Sequence, residues 1–233
     1  MERIENNINN VVNNIRNACL KAGRNPDEVK LIAVTKTIDV DTINCALKTG
    51  ITDIGENKVQ EIIVKYDKIQ YKPKWHLIGH LQTNKVKYII DKVDLIHSLD
   101  SLRLAKEINK RAKRIERVMD VLIQINIADD EDKFGIGYDE LDDFIKDMSE
   151  FENIRVQGLM TIVPYVKNSE EVRPYFREMK GIFDSLKNSN YNNINMNYLS
   201  MGMTNDYTVA VEEGSNMVRI GTGIFGQRDY SKK

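Results

Sequence analysis

The sequence predicts an α/β fold, in which a single (β/α)₈ barrel of the TIM type follows one N-terminal helix. Short apolar segments alternate eight times with amphipathic helical patterns along the chain, as in parallel strand and helix units. The 233 residues are close to the roughly 250 that such a barrel needs. Only four prolines occur and no composition shift marks a linker, which favours one domain over two. We therefore expect one domain over 1–233, with the helix at 1–25 and the barrel at 29–226.

The first half of the chain contains the N-terminal helix and the first four strand and helix units. Apolar residues recur at helical spacing from Ile4 to Ile15, and Gly23 with Pro26 closes this helix. Each predicted strand is a short apolar run, the pattern of a parallel sheet that is covered on both faces. The predicted strands of this half are Val29–Lys36, Asp53–Asn57, Lys74–His80 and Asp94–Ser98.

The second half continues the alternation without a break. Its longest apolar stretch predicts the fifth strand, and the acidic loop 129–132 follows it. This loop lacks the spacing of oxygen ligands, the glycine and the glutamate of a calcium-binding loop, so we predict a solvated turn. The predicted strands of this half are Val118–Ile127, Ile154–Val163, Ile194–Ser200 and Met217–Ile220.

Polar residues mark the starts of several helices. Asp39 or Asp41 is suited to cap the first helix of the barrel. Thr83 is placed to cap the helix of the third unit, and Thr204 the helix after the seventh strand. Gly214 is placed to end this last helix.

The composition excludes several classes of protein. The chain carries 34 basic and 35 acidic side chains, so nucleic acid is not a predicted partner. No apolar run approaches the ~20 residues of a membrane-spanning helix, and the first residues are too polar for a signal peptide. Cys19 and Cys45 are the two cysteines, and they form neither a disulfide framework nor a zinc motif. We expect a cytoplasmic monomer with both thiols reduced.

The first strand delivers one lysine, Lys36, to its carboxyl end. In barrels of this class, ligands collect at the carboxyl ends of the strands. Apolar neighbours lower the pKa of an ammonium group and favour its nucleophilic neutral form. Lys36 is therefore a candidate to bind an aldehyde as an imine, although a surface lysine that ends an ordinary strand gives the same pattern.

Two loops near the end of the chain have the chemistry of an anion site. The segment 199–204 after strand 7 offers a hydroxyl and a glycine, and the segment 219–226 after strand 8 is rich in glycine. Barrels commonly bind phosphate at these two loops, and closure places strand 8 beside strand 1. The sequence thus predicts a phosphorylated aldehyde bound to Lys36. The same pattern also fits a phosphosugar-binding barrel in which Lys36 forms an imine, as the lysine of an aldolase does.

Six motifs follow one another in order along the chain. They are AVTK at 33–36, GENKVQE at 55–61, WHLIGHLQTNK at 75–85, GLMT at 158–161, LSMGM at 199–203 and VRIGTGIFG at 218–226. In these motifs the chain resembles the YggS/PROSC family of pyridoxal 5'-phosphate (PLP) homeostasis proteins, over nearly its whole length from Val29. The resemblance implies PLP fold type III, the barrel of the alanine racemase N-terminal domain, with PLP as the cofactor.

The resemblance also implies roles for single residues. Lys36 would hold PLP as a Schiff base, Arg219 would face the pyridine nitrogen, and Asn57 would lie near the ring. The cofactor-binding residues that come from the later motifs are Ser200, Met201, Gly202, Gly221 and Thr222, of which Ser200, Gly221 and Thr222 would bind the phosphate. Because arginine does not readily lose its proton, Arg219 should leave the ring nitrogen unprotonated and disfavour carbanion chemistry. A strand-end salt bridge is the alternative role for Arg219.

The function implied by the resemblance is intracellular PLP homeostasis, by buffering PLP or delivering it to apoenzymes that need it, without efficient turnover of amino acids. The alternative is a PLP-dependent amino-acid racemase of the alanine racemase type. Such enzymes take a second base, a tyrosine, from an additional β domain, and we expect no room for that domain in a chain that ends at Lys233. Departures from the family pattern are small, with His80 in place of a common proline and Asn205-Asp206 in place of two acidic residues.

The three histidines, His76, His80 and His97, invite a catalytic or metal-binding interpretation that we do not favour. On a strand, His76 and His80 would lie about 13 Å apart, too far to share a zinc ion. We predict ordinary hydrogen-bonded histidines, with His76 placed to line the mouth of the barrel. We predict no catalytic residue and no metal site.

Overall fold

The computed structural model describes residues 2–130, 134–188 and 191–227. Its eight parallel strands close into a barrel, in which each strand pairs with the next and β8 pairs with β1. The strands are β1 Lys30–Val34, β2 Asp53–Glu56, β3 Lys74–Leu77, β4 Leu95–Leu99, β5 Met119–Ile125, β6 Ile154–Thr161, β7 Ile194–Met203 and β8 Met217–Ile220. This closed barrel confirms the predicted fold.

Helices surround the barrel, and one of them precedes it. The α-helices are α1 Glu2–Lys21, α2 Val40–Lys48, α3 Val59–Lys65, α4 Leu102–Arg114, α5 Leu141–Ser149, α6 Arg173–Leu186, α7 Tyr207–Glu212 and α8 Thr222–Phe225. Short 3-10 helices cover Pro26–Glu28, Tyr66–Lys68, Thr83–Tyr88, Tyr138–Glu140 and Ser169–Val172. Helix α1 is the extra N-terminal helix that the sequence predicts.

The strands are apolar because both of their faces are buried. Their outward side chains pack against the surrounding helices in the larger core. Their inward side chains fill the barrel, and the buried apolar residues of this inner core are Ile32, Leu95, Leu122, Met160 and Met217. The inner core lies between two cavities, one at each end of the barrel.

Helix α1 covers the barrel on the side of α7 and α8. Its buried stripe follows the helical spacing and consists of Ile8, Val11, Ile15, Ala18 and Cys19. Cys19 is buried and Cys45 partly buried, and both are free thiols. Burial is the main reason that the pKa of Cys19 is raised.

The predicted N-terminal caps agree with the structure in one case and differ in two. Asp39 caps α2, since its carboxylate accepts a hydrogen bond of 2.8 Å from the backbone N–H of Thr42. Thr83 does not act as a cap, because it is the first residue of a 3-10 helix that stands where we predicted an α-helix. Thr204 does not cap α7 either, because that helix begins three residues later at Tyr207. Both threonine predictions are therefore wrong.

Strand β7 runs three residues further than predicted. Its register with β8 shifts between Ser200 and Met203, the mark of a β-bulge. Gly202 lies at this shift with φ of 95°, and a Cβ atom there would come within 2.7 Å of Ala210 Cβ. Glycine therefore lets the strand bend and α7 pack closely against it.

Two further predictions concern metals and membranes. The acidic loop 129–132 lies partly outside the described residues. In the part of the chain that the structure describes, no three His, Cys, Asp or Glu side chains are grouped so that they could hold a metal ion. Of the helices described, none combines the length and the apolar character needed to cross a bilayer.

Candidate functional site

A cavity of about 420 Å³ opens at the carboxyl ends of the strands, a size typical of small-molecule and cofactor sites. Five of the eight predicted cofactor-binding residues line it. These five are Lys36, Asn57, Arg219, Gly221 and Thr222. The structure thus brings together residues from both ends of the chain.

Lys36 continues the inward face of β1. Successive inward residues of this strand are Lys30 at one end of the barrel, Ile32 in the inner core and Val34 in the cavity wall, and the alternation carries on to Lys36. Pairing of β1 with β8 places Val34 beside Gly221, where an added Cβ atom would lie 3.5 Å from Val34 Cβ. The lysine and the glycine-rich turn therefore share one edge of the cavity, as closure of the barrel requires.

A buried ionic cluster holds the turn that carries this lysine. Thr37 has φ of 65°, an unusual conformation for a β-branched residue, and its N–H donates to Glu61 over 2.6 Å. The ammonium of Lys65 donates to the carbonyl of Thr35 over 2.8 Å, to Glu56 over 2.7 Å and to Glu61 over 2.8 Å. The cluster therefore fixes the turn from its outer side.

Glu56 is the fully buried member of this cluster. Its Oε1 accepts hydrogen bonds from Lys65 and from the Thr35 hydroxyl, both at 2.7 Å. Its Oε2 has no hydrogen-bond partner among the described residues. Burial raises the pKa of Glu56 against the opposing effect of the Lys65 charge, which leaves Lys65 as the group that stabilises the ionised carboxylate.

Arg219 forms the floor of the cavity and is only 3% exposed. Its guanidinium donates to Ser200 Oγ over 2.6 Å and to the carbonyl of Thr161 over 2.9 Å. Burial lowers the pKa of Arg219 to about 10, with a smaller opposing effect from Asp206, so the group stays charged at neutral pH. Among the described residues, no carboxylate oxygen lies within 4.0 Å of the Arg219 guanidinium, so the alternative of a strand-end salt bridge is not observed there.

The structure does not bring Ser200, Met201 and Gly202 into the lining of the cavity. Ser200 is fully buried beneath it, where its hydroxyl lies between Arg219 and His97. Met201 packs outward in the larger core, and Gly202 lies at the shift in register. Of the three, Ser200 contacts Arg219 directly, and their contact with a cofactor stays a prediction.

Two residues just after this motif line the cavity, although neither is among the eight predicted cofactor-binding residues. Thr204 lines the cavity, and its hydroxyl accepts a hydrogen bond of 3.2 Å from the N–H of Gly223. Asp206 also lines it and accepts a 2.6 Å hydrogen bond from the N–H of Met203. Burial raises the pKa of Asp206. Thr204 belongs to the segment 199–204 that the sequence marks as one half of an anion site, and this was the available signal for it.

The histidines lie in three different surroundings. His80 is at the carboxyl end of the barrel, 3.1 Å from Asp100 and stacked on Phe134 with ring centroids 3.8 Å apart. His97 is fully buried, and burial is the main reason that its pKa is well below the ordinary value. His76 lines a second cavity at the opposite end of the barrel, so the prediction that it lines the mouth of the first cavity is wrong.

The first cavity combines groups of complementary chemistry. The amine of Lys36 and the hydroxyls of Thr204 and Thr222 line the same cavity. Apolar walls come from Val34 and Ile78, and the guanidinium described above forms the floor. Such an arrangement fits an elongated ligand that has an aldehyde at one end, an anion at the other and a flat apolar ring between them.

Comparison with known proteins identifies the family. A family model described as "Alanine racemase, N-terminal domain" matches residues 6–229. A pyridoxal phosphate homeostasis protein of Aquifex aeolicus is 44% identical over 96% of this chain and 97% of its own length. The chain belongs to the pyridoxal phosphate homeostasis protein family. The family member of Escherichia coli K12 is 40% identical, with both chains covered in full.

Solved structures support the same assignment. PipY of Synechococcus elongatus, whose structure contains PLP, is 31% identical, with a TM-score of 0.80 over 91% of this chain and 98% of PipY. An alanine racemase of Clostridium difficile is 17% identical, with a TM-score of 0.73 over 98% of this chain and 60% of the racemase. At that identity the racemase shares the barrel fold with this homeostasis family member, and the likeness says nothing further.

Proposed function

We propose that this protein takes part in PLP homeostasis by holding PLP in the 420 Å³ cavity, with a Schiff base to Lys36, and by releasing it to apoenzymes that need it. The observation that carries the proposal is the placement of Lys36 and Gly221 on one edge of a cavity whose floor is Arg219. The PLP in the PipY structure and the printed names of the relatives support it.

The residues of the cavity fit PLP in chemistry as well as in place. Lys36 would hold the aldehyde carbon, and Asn57 would lie near the ring. Thr204, Gly221 and Thr222 would hold the phosphate through hydroxyls and backbone amides. When bound, PLP supplies an electrophilic aldehyde and an electron-accepting ring.

Arg219 is the reason that we propose a carrier rather than an enzyme. Its guanidinium has donors only, and a donor that stays protonated opposite a ring nitrogen leaves that nitrogen without a proton of its own. The ring then accepts electrons less readily, which disfavours carbanion chemistry. We further propose that the protein acts as a monomer.

The covalent link is tested by reduction with borohydride. Purified protein loaded with PLP should yield a pyridoxyl-lysine at Lys36, identified by mass spectrometry of its peptides. Lys36→Ala should lose this adduct, whereas Lys30→Ala should keep it, because Lys30 lies on the same strand but lines the cavity at the opposite end. An adduct of unchanged yield in Lys36→Ala would overturn the assignment.

The absence of turnover is tested separately. The PLP-loaded protein is incubated with alanine and other single amino acids, and the products are analysed by chiral chromatography. We expect no racemised or deaminated product at ordinary enzymatic rates, on the order of 1 to 10³ per second. Racemisation at such rates would replace the carrier by the racemase alternative.

A further inference from the structure

A chain of polar groups passes through the inner core of the barrel, from Arg219 to the end opposite the first cavity. Arg219 donates to Ser200 Oγ over 2.6 Å, and Ser200 Oγ lies 3.1 Å from His97 Nδ1. His97 Nε2 lies 3.0 Å from His76 Nδ1, and His76 Nε2 lies 2.9 Å from Asp53 Oδ1. All five side chains are no more than 3% exposed, so the chain is shielded from bulk solvent between the two cavities.

Donors and acceptors permit one direction of hydrogen bonding along this chain. Arg219 has only N–H donors, so the Ser200 hydroxyl accepts from it and keeps one proton to donate to His97 Nδ1. The neutral ring of His97 then carries its proton on Nε2, which donates to His76 Nδ1. His76 in turn donates from Nε2 to the Asp53 carboxylate. These tautomers follow from counting donors and acceptors.

The reverse direction is disfavoured by the same count. If His97 carried its proton on Nδ1, Ser200 would accept from both His97 and Arg219, and its own proton would have no acceptor among the described side chains. A buried polar group without a partner costs about 1 to 3 kcal/mol. A charged His76 would donate from Nδ1, so His97 would have to accept on Nε2 and carry its own proton on Nδ1. The Ser200 proton would again have no acceptor.

The far end of the chain lies in the second cavity, which measures about 250 Å³ and is lined by both His76 and Asp53. Asp53 also accepts a 2.7 Å hydrogen bond from the Thr52 hydroxyl and lies 3.6 Å from the ammonium of Lys30. Burial acts to raise the pKa of Asp53, but the hydrogen bonds and charges around it lower the pKa to about 2. The chain is therefore anchored by a carboxylate that is ionised at neutral pH.

We propose that Asp53, His76 and His97 are positioning residues that hold Ser200 and Arg219 from the far end of the barrel, and so fix the donor that faces the cofactor ring. The effect on PLP rests on the proposed function, but the hydrogen-bonded chain is a property of the protein alone. The chain connects the two cavities. A substitution in the second cavity should therefore alter the position of Arg219 in the first.

The first test examines the protein without PLP. Protein labelled with ¹⁵N in its histidine rings is studied by long-range ¹H–¹⁵N correlation NMR at neutral pH, which shows which ring nitrogens carry protons. We expect His76 and His97 to be neutral, each with its proton on Nε2. A proton on Nδ1 of either ring would overturn the proposal, and this measurement requires no substitution that could impair folding.

The second test compares two carboxylates that line the second cavity. Asp53→Asn removes the charge that anchors the chain and leaves a neutral amide, which accepts a weaker hydrogen bond from His76 Nε2. Arg219 still sets the direction of the chain. Asp120→Asn is the matched control, because Asp120 lines the same cavity but pairs with Arg155 at 2.7 Å. We expect Asp53→Asn to shift the ¹⁵N resonance of His76 Nε2, to shift the absorption band of bound PLP and to weaken PLP binding roughly three- to tenfold.

The outcomes separate this inference from the proposed function. Asp120→Asn should match the unmodified protein in all three measurements. If Asp53→Asn binds PLP with an unchanged absorption band and affinity, the positioning role is wrong and PLP binding stands. If the unmodified protein binds no PLP, the proposed function fails, while the NMR spectrum still decides whether the hydrogen-bonded chain exists.

Discussion

At the scale of single residues, Lys65 supports the candidate site without lining it. Its ammonium is buried, and it joins Glu56 and Glu61 to the carbonyl of Thr35, immediately before Lys36. Removal of one partner from a buried ion pair leaves an uncompensated charge, at a cost of about 3 to 5 kcal/mol. The position of Lys36 therefore depends on a residue that packs behind it.

The substitution Lys65→Met tests this dependence. It should lower the free energy of unfolding by about 3 kcal/mol, measured by urea denaturation, and slow the capture of PLP by Lys36. Lys68→Met is the control, because Lys68 is exposed one turn further along and should change neither quantity. Equal stability of the two variants would show that the cluster does not hold the turn.

Asp53 should make the stability of the protein depend on pH. Its pKa is about 2 in the folded protein, below its ordinary value of 3.8, so its ionised form stabilises the fold above about pH 4. That contribution, about 2 kcal/mol from a shift of this size, is lost as the pH falls from about 4 to 2. The raised pKa of Glu56 has the opposite effect, because its stabilisation is present at low pH and lost as the pH rises.

The measurement therefore compares the unmodified protein with Asp53→Asn. Glu56 contributes equally to the stability of both proteins, so its effect cancels in the difference. Free energies of unfolding from urea titrations between pH 2 and 7 should differ most at neutral pH, and the difference should shrink below about pH 4. A difference that stays constant over this range would mean that the pKa of Asp53 is not lowered by folding.

At the scale of elements, α1 ties down the turn that carries Gly221 and Thr222. The side-chain amide of Asn7 donates to the carbonyl of Ile224 over 2.8 Å, and Arg3 donates to the carbonyl of Phe225 over 3.4 Å. Both carbonyls belong to α8, a helix of four residues that is too short to be stable by itself. The N-terminal helix therefore helps to shape the proposed phosphate end of the cavity.

Asn7→Ala should weaken PLP binding about fivefold, because a lost hydrogen bond to a partly buried carbonyl costs about 1 kcal/mol. The affinity is measured by titration of the PLP absorption band. Asn10→Ala removes the same amide from an exposed position of α1 and should bind PLP as the unmodified protein does. If Asn7→Ala also binds PLP with unchanged affinity, α1 has no part in shaping the site.

The elements also show how far the sequence alone predicts the structure. Apolar runs and turn residues place all eight strands, and β8 has the predicted bounds, Met217–Ile220. The burial of Ser200 beneath the cavity was not predicted from the sequence, because it depends on a bulge. The shift in register between Ser200 and Met203 leaves Ser200 beneath the cavity and brings Thr204 to its edge, and alternation along a strand cannot reveal an inserted residue.

The polar chain through the barrel was not predicted from the sequence either, because it too depends on strand register. Asp53, His76 and His97 lie on three consecutive strands, about one strand and helix unit apart, which is a signal that the sequence contains. Their contact depends on the register of β2, β3 and β4, and this register follows from the tilt of strands in a closed barrel. Apolar periodicity carries no information about that tilt.

At the scale of the whole molecule, the candidate site exists only when the barrel is closed. Lys36 follows the first strand and Arg219 lies on the last, so nearly the whole chain must fold before the two can face one cavity. Helix α1 packs against α7 and α8 and so covers the closure on its outer side. The helix and the barrel should therefore unfold as one cooperative unit.

Trp75 provides a local probe for this prediction. It is the single tryptophan, lies buried on β3 beside Tyr66 and is four strands away from β7 around the barrel. Its fluorescence and the far-ultraviolet circular dichroism of all helices should give superimposable urea transitions. PLP at about 100 times its dissociation constant should shift both equally, by about 2.7 kcal/mol, since it binds only the folded state. Transitions that separate, or a shift confined to one probe, would mean that the side of the barrel bearing the site folds independently of the rest.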